Sequence, residues 1–115
     1  MRSSAPVLRV LAASLTRTPT AETVNNARKI AGEHFNIVFT WSSVEDGAVA
    51  VVMVEKASFG GPALIATADT FTNDPNLLST EEKSDLLSRV FLDMAEKMAK
   101  RGQAKLDAIL GRASA

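Results

Sequence analysis

The spacing of apolar residues changes twice along this chain, and each change marks an element. Val24, Ala27, Ile30 and Ala31 recur at helical intervals until Gly32 stops the run. Thr18-Pro19 ahead of them suits an N-cap followed by proline at the first helical position. At His34 the period shortens to two. Phe35, Ile37, Phe39 and Trp41 alternate with Asn36, Val38, Thr40 and Ser42, which predicts a strand over 34–44 with one strongly apolar face. Phe35, Phe39 and Trp41 are expected to anchor the core. Glu45-Asp46-Gly47 supplies an Asp-Gly turn, which favours an antiparallel hairpin with the run Ala48 to Lys56. Ala48 to Val54 is apolar on both faces, so it belongs in the middle of the sheet with something covering each side.

Gly60-Gly61-Pro62 breaks that run, and Ala63 to Thr72 predicts a third strand. After the turn residues Asn73-Asp74-Pro75-Asn76, Ser79-Thr80-Glu81-Glu82 reads as a capping box, in which the Ser79 hydroxyl and the Glu82 carboxylate each accept from an otherwise orphaned backbone N–H. A long helix starts there, with Leu86, Leu87, Val90, Phe91, Met94 and Met98 along one stripe. Lys97, Lys100 and Arg101 suit its last turn, and Gly102 suits a C-cap. Gln103 to Leu110 would then form a short further helix, leaving 111–115 as a tail. The expected fold class is α+β, a two-layer sandwich. It has an antiparallel sheet of at least three strands, a short N-terminal helix and a long C-terminal helix. The order is α-β-β-β-α, with or without a leading strand, in a single domain over 19–110.

Residues 1–18 stand apart by charge. They hold Arg2, Arg9 and Arg17 with several Ser and Thr, whereas every carboxylate lies from Glu22 onward. At about 100° per residue, Leu8, Leu11 and Leu15 share one sector of a helical wheel and the arginines gather opposite. A basic, acid-free amphipathic helix is how a mitochondrial transit peptide reads. Arg9-Val10-Leu11-Ala12-Ala13-Ser14, followed by Leu15 to Thr18, resembles the two-step processing pattern of mitochondrial presequences. Against this stand Pro6 inside the would-be helix and a competing reading of Val7 to Leu15 as the first strand of the domain. The address implied is the mitochondrial matrix if this is a transit peptide, and the cytoplasm otherwise. No stretch approaches the ~20 apolar residues that span a bilayer.

Composition narrows the chemistry. A chain of 115 residues suits one domain, and the absence of cysteine removes disulfides, thiol chemistry and Cys-based zinc sites. The net charge is zero, yet residues 22–115 carry ten Lys or Arg against thirteen Asp or Glu, a balance of minus three. That body offers no basic surface to a phosphate backbone, and one Trp, five Phe and no Tyr leave few rings for stacking on bases. No nucleic-acid partner is expected.

His34 is the only histidine and sits beside Glu33, where an exposed or capping role suits it better than general-base work. Asp69, Asn73 and Asp74 could offer oxygens to a hard cation, but Asn-Asp-Pro-Asn is also ordinary turn chemistry. Gly60-Gly61 lacks the Lys and Ser or Thr of a phosphate loop and precedes a strand, not a helix. Glu45-Asp46 and Glu81-Glu82 explain a turn and a cap. No catalytic, cofactor-binding or metal-ligating residue is therefore assigned, and no cofactor is implied. The leading expectation is a non-catalytic protein–protein interaction or structural subunit, forming a homo-oligomer or part of a larger complex. Its candidate partner-contact residues are Leu106, Ile109, Leu110, Val49 and Val51. The alternative is a small-molecule or lipid-binding module that uses the apolar inner face of the sheet. An enzyme working by backbone and carboxylates alone is a third.

Overall fold

The computed structural model describes residues 4–42, 47–56, 61–72 and 74–111. Its elements are α1 (Ala5–Arg17), α2 (Ala21–Gly32), β1 (Phe35–Ser42), β2 (Ala48–Glu55), β3 (Ile65–Phe71), a 3-10 turn (Pro75–Leu77) and α3 (Thr80–Leu110). The fold is α+β, with an antiparallel sheet in the order β1-β2-β3. The expected hairpin is therefore present and the doubly apolar strand is central. Of its turn residues, Glu45 and Asp46 lie outside the described residues, as do Val44, Gly60 and Asn73.

The N-terminal segment folds as a helix, not as a leading strand. Its apolar residues at 8, 11, 12 and 15 follow helical spacing and are buried, while Val7 and Val10 stay exposed, which a strand pairing could not separate in that way. Pro6 falls in the first turn, where its missing N–H leaves no bond unmade. Leu8, Leu11 and Leu15 join the same core cluster as the sheet and the other helices. Thr18 ends α1 by donating its N–H to the Ser14 carbonyl at 3.1 Å, so it cannot also open α2. That task falls to Thr20, whose Oγ1 accepts from the Thr23 N–H at 3.1 Å. Val24, Ala27 and Ala31 then face the core, and Ile30 points outward.

The capping box at α3 forms as the sequence predicts: Glu82 N–H donates to Ser79 Oγ at 3.1 Å and Ser79 N–H to Glu82 Oε1 at 3.2 Å. The helix end differs from expectation. Gly102 is helical, and α3 runs unbroken for 31 residues to Gly111, which takes the left-handed conformation (φ 72°, ψ 24°) that ends a helix. A single glycine costs a helix only about 1 kcal/mol, too little to break one anchored over six turns on its N-terminal side. Gln103 to Leu110 is thus the continuation of α3 and not a separate helix.

Packing places α3 between the sheet and α1. It lies over β2 and β3, α2 covers β1, and α1 packs on α3 and α2. Leu86, Leu87, Val90, Phe91 and Met94 are all fully buried, each removing roughly 1.5 to 3 kcal/mol worth of apolar surface from water. On the α1 side, Ser84 Oγ donates to the Leu15 carbonyl at 2.7 Å and Ser88 Oγ to the Ala12 carbonyl at 3.2 Å. Small hydroxyls there let the helices approach and satisfy a carbonyl that the end of α1 leaves without a partner.

Candidate functional site

The register decides which strand residues meet the helices. Across the sheet Met53 lies between Ile37 and Ala66, Val51 between Phe39 and Ala68, and Val49 between Trp41 and Thr70, so these rows share the helix-facing side. Phe35, Val49, Val51, Met53, Ala66 and Ala68 are buried there, and Ile37 and Phe39 pack against the same cluster. Trp41 is on this side too, yet it is 53% exposed. It lies at the end of the sheet that the core helices leave open and is not the core anchor its alternation suggested.

The opposite side carries the rows Asn36-Val54-Ile65, Val38-Val52-Thr67 and Thr40-Ala50-Asp69. No element of the chain covers it among the described residues. Val38 is directly paired with Val52, Val54 with Ile65, and Val52 with Val54 share the central strand, so four β-branched side chains form one diagonal apolar stripe. Val38 is 54% and Ile65 53% exposed, and Phe71 beyond them 69%. Asp69 is the single charged residue in those rows. A solvated antiparallel face ordinarily alternates to polar residues, and in these rows the polar residues are Asn36, Thr40, Thr67 and Asp69.

Two carbonyls along the neighbouring edge are taken by cations. From α3, Arg89 donates to the carbonyl of Asp69 and Lys97 donates to that of Ile65 at 2.8 Å, so cations straddle the outer backbone of β3. Charged groups at an edge oppose strand addition. Further along, Arg101 grips both Glu55 oxygens at 2.9 and 3.1 Å and the Pro62 carbonyl at 3.1 Å. This half-buried fork ties α3 to the far end of the sheet.

Beyond Arg101 the helix leaves the body. Every residue from Gly102 to Leu110 except Asp107 is exposed, over a length of about 13 Å. On a wheel of about 100° per residue Ile109 projects in the direction of Phe91, and Leu106 in that of Ser88, so the core-facing stripe runs on past the core. Leu106, Ile109 and Leu110 are 47%, 81% and 53% exposed.

Of the residues marked from sequence as partner contacts, these three therefore lie at the surface. Val49 and Val51 lie on the helix-covered side at 3% and 0% exposure, and the outward residues of the same strand are Ala50, Val52 and Val54. Val38 and Ile65 are exposed apolar residues that carry no mark from sequence, although a valine among Asn36, Thr40 and Ser42 is a visible irregularity in the polar half of β1. His34 is exposed, and its ring stands edge-on to the Phe35 ring, with centroids 6.4 Å apart. Asp69 and Asp74 do not converge: the first faces outward from β3, and the second accepts the Asn76 N–H at 2.9 Å in the turn before α3. Among the described residues no cluster of three or more His, Asp or Glu is placed to hold a metal ion, and no helix is long and apolar enough to cross a membrane.

A cleft of about 660 Å³ opens on the helix-facing side at the Trp41 end of the sheet. Arg28 of α2, Phe39, Trp41 and Val49 of the sheet, Asp74 and Leu78 of the turn, and Lys83 of α3 line it. No protein-family model, no curated protein and no solved structure matches the chain.

Proposed function

We propose that this protein is a non-catalytic interaction subunit that assembles with a second copy of itself through the outer face of its sheet. The observation that carries the reading is the diagonal Val38-Val52-Val54-Ile65 in three rows that hold one charge, Asp69, with Lys56 beyond them at the end of β2. Charge complementarity selects the occupant. A face bearing a run of charges would need an opposite partner, whereas a nearly uncharged one meets its own twofold image without repulsion. Stacking two such faces gives a sandwich with about 10 Å between sheets, the usual spacing for interdigitated β-branched side chains. The cations along the β3 edge oppose the competing route of strand addition on that side. The sheet alone offers a modest area, and the overhanging Leu106, Ile109 and Leu110 are the further apolar surface available to the assembly.

The chain has no cysteine, so a single one can report on one position. In V52C the thiol-labelling rate should fall as protein concentration rises, because the assembled fraction hides residue 52. In E22C, on the exposed start of α2, the rate should not change with concentration. Concentration-independent labelling at residue 52, in protein that remains folded, would remove the support for this face.

A further inference from the structure

We infer that the cleft at the Trp41 end of the sheet binds a small organic anion with an aromatic body, a site separate from the assembly surface. Its size, about 660 Å³, lies within the roughly 300 to 1,000 Å³ of ordinary small-molecule pockets. Phe39, Trp41, Val49 and Leu78 supply its apolar, ring-bearing part, and Thr40 and Asn76 line it beside them. Trp41 explains why the cleft exists. By register it belongs to the helix-covered side, yet it is 53% exposed, so a large aromatic surface stands in water where the rest of that side is sealed. The indole also lies close over the start of β2, with its Nε1 3.5 Å from where a Cβ on Gly47 would be.

Two cations give the site its charge. The Arg28 guanidinium sits 5.3 Å from the centroid of the Phe39 ring, which fixes it at the cleft wall by cation–π attraction. Lys83 faces it from the first turn of α3. Among the described residues neither side chain has a carboxylate partner, whereas Arg89, Lys97 and Arg101 are all paired. Among the described residues the one acid in the lining, Asp74, already accepts the Asn76 N–H, so the described lining carries one positive charge in excess. Unpaired cations beside exposed rings suit a monoanionic group on a planar apolar body: the ring stacks against Trp41 and Phe39, and the anion accepts charge-assisted hydrogen bonds from Arg28 and Lys83. A phosphate-rich polymer fits poorly, because the body of the domain is net acidic.

The probe pair for this site is 1-anilinonaphthalene-8-sulfonate and N-phenyl-1-naphthylamine, the same ring system with and without the anion. Trp41 is the only tryptophan, so its indole N–H gives a single NMR signal inside the cleft. The sulfonate should bind saturably, move that signal, and weaken about tenfold in R28Q and in K83Q, the loss of one charge-assisted contact each. The neutral probe should be indifferent to both substitutions. In the unmodified protein, raising the salt concentration should weaken the sulfonate and not the neutral probe, which keeps the test valid if a variant is destabilised. Sulfonate affinity unchanged within about twofold in the double variant, or an unmoved indole signal at saturation while residues of the outer sheet face shift, overturns the assignment.

Discussion

The two faces of β2 are almost equally apolar, and their fates are opposite. Val49, Val51 and Met53 are sealed beneath helices, while Ala50, Val52 and Val54 look outward from the same strand. Hydrophobicity alone cannot assign the sides. What assigns them is the supply of helices and where the chain can carry them: α2 and α3 land on one side, and α1 uses its leucines on α3 in preference to the second face. Among the described residues, the three amphipathic helices thus all lie to one side of the sheet and none covers the other. A strand pattern with two apolar faces records a demand for two covers, and the fold supplies one.

That asymmetry predicts unequal costs. Met53→Ala should destabilise by about 2 to 5 kcal/mol, since it deletes a fully buried side chain whose neighbours cannot all collapse into the gap. Val52→Ala on the outer side should cost less than about 1 kcal/mol in dilute protein. Denaturant unfolding of both variants decides it, and equal costs would break the distinction between the faces. A middle effect belongs to the start of α3, the helix that makes the inner side possible. Ser79→Ala removes one arm of the capping box and should lower stability by about 0.5 to 2 kcal/mol, with Ser79→Gly costing less. A circular-dichroism melt unchanged by the alanine would show that the cap is not used. The smallest effect should be a gain. Gly102 is helical, exposed, and has no atom within 4 Å of where a Cβ would stand, so Gly102→Ala should stabilise by up to about 1 kcal/mol. A loss of stability there would mean that the helix does break at Gly102.

Much of this was legible in the sequence because local signals agreed. The two-residue period from Phe35, the central position of Ala48 to Val54, and the Ser79-Glu82 spacing each have a short-range physical cause. The departures share a different cause: they depend on distant partners. Leu8, Leu11 and Leu15 showed an amphipathic helix, but that this helix meets Ser84 and Ser88 on α3 is a pairing over 69 and 76 residues of sequence, invisible to periodicity. Gly102 carried the residue type of a cap without the left-handed geometry, which Gly111 adopts instead. Trp41 followed its strand's alternation faithfully, and its exposure reflects only where the helices stop. The cleft itself joins α2, two strands, a turn and α3, so no motif could announce it.

If a second copy covers the outer sheet face, as proposed, sedimentation across a concentration series reads it out. The wild-type chain should shift from its 12.2 kDa monomer toward twice that mass as concentration rises. Val52→Lys, which places a charge in the middle of the apolar diagonal while leaving the core untouched, should stay monomeric over the same range. A wild type that sediments at 12.2 kDa at every concentration, or a Val52→Lys variant that assembles as the wild type does, would contradict it.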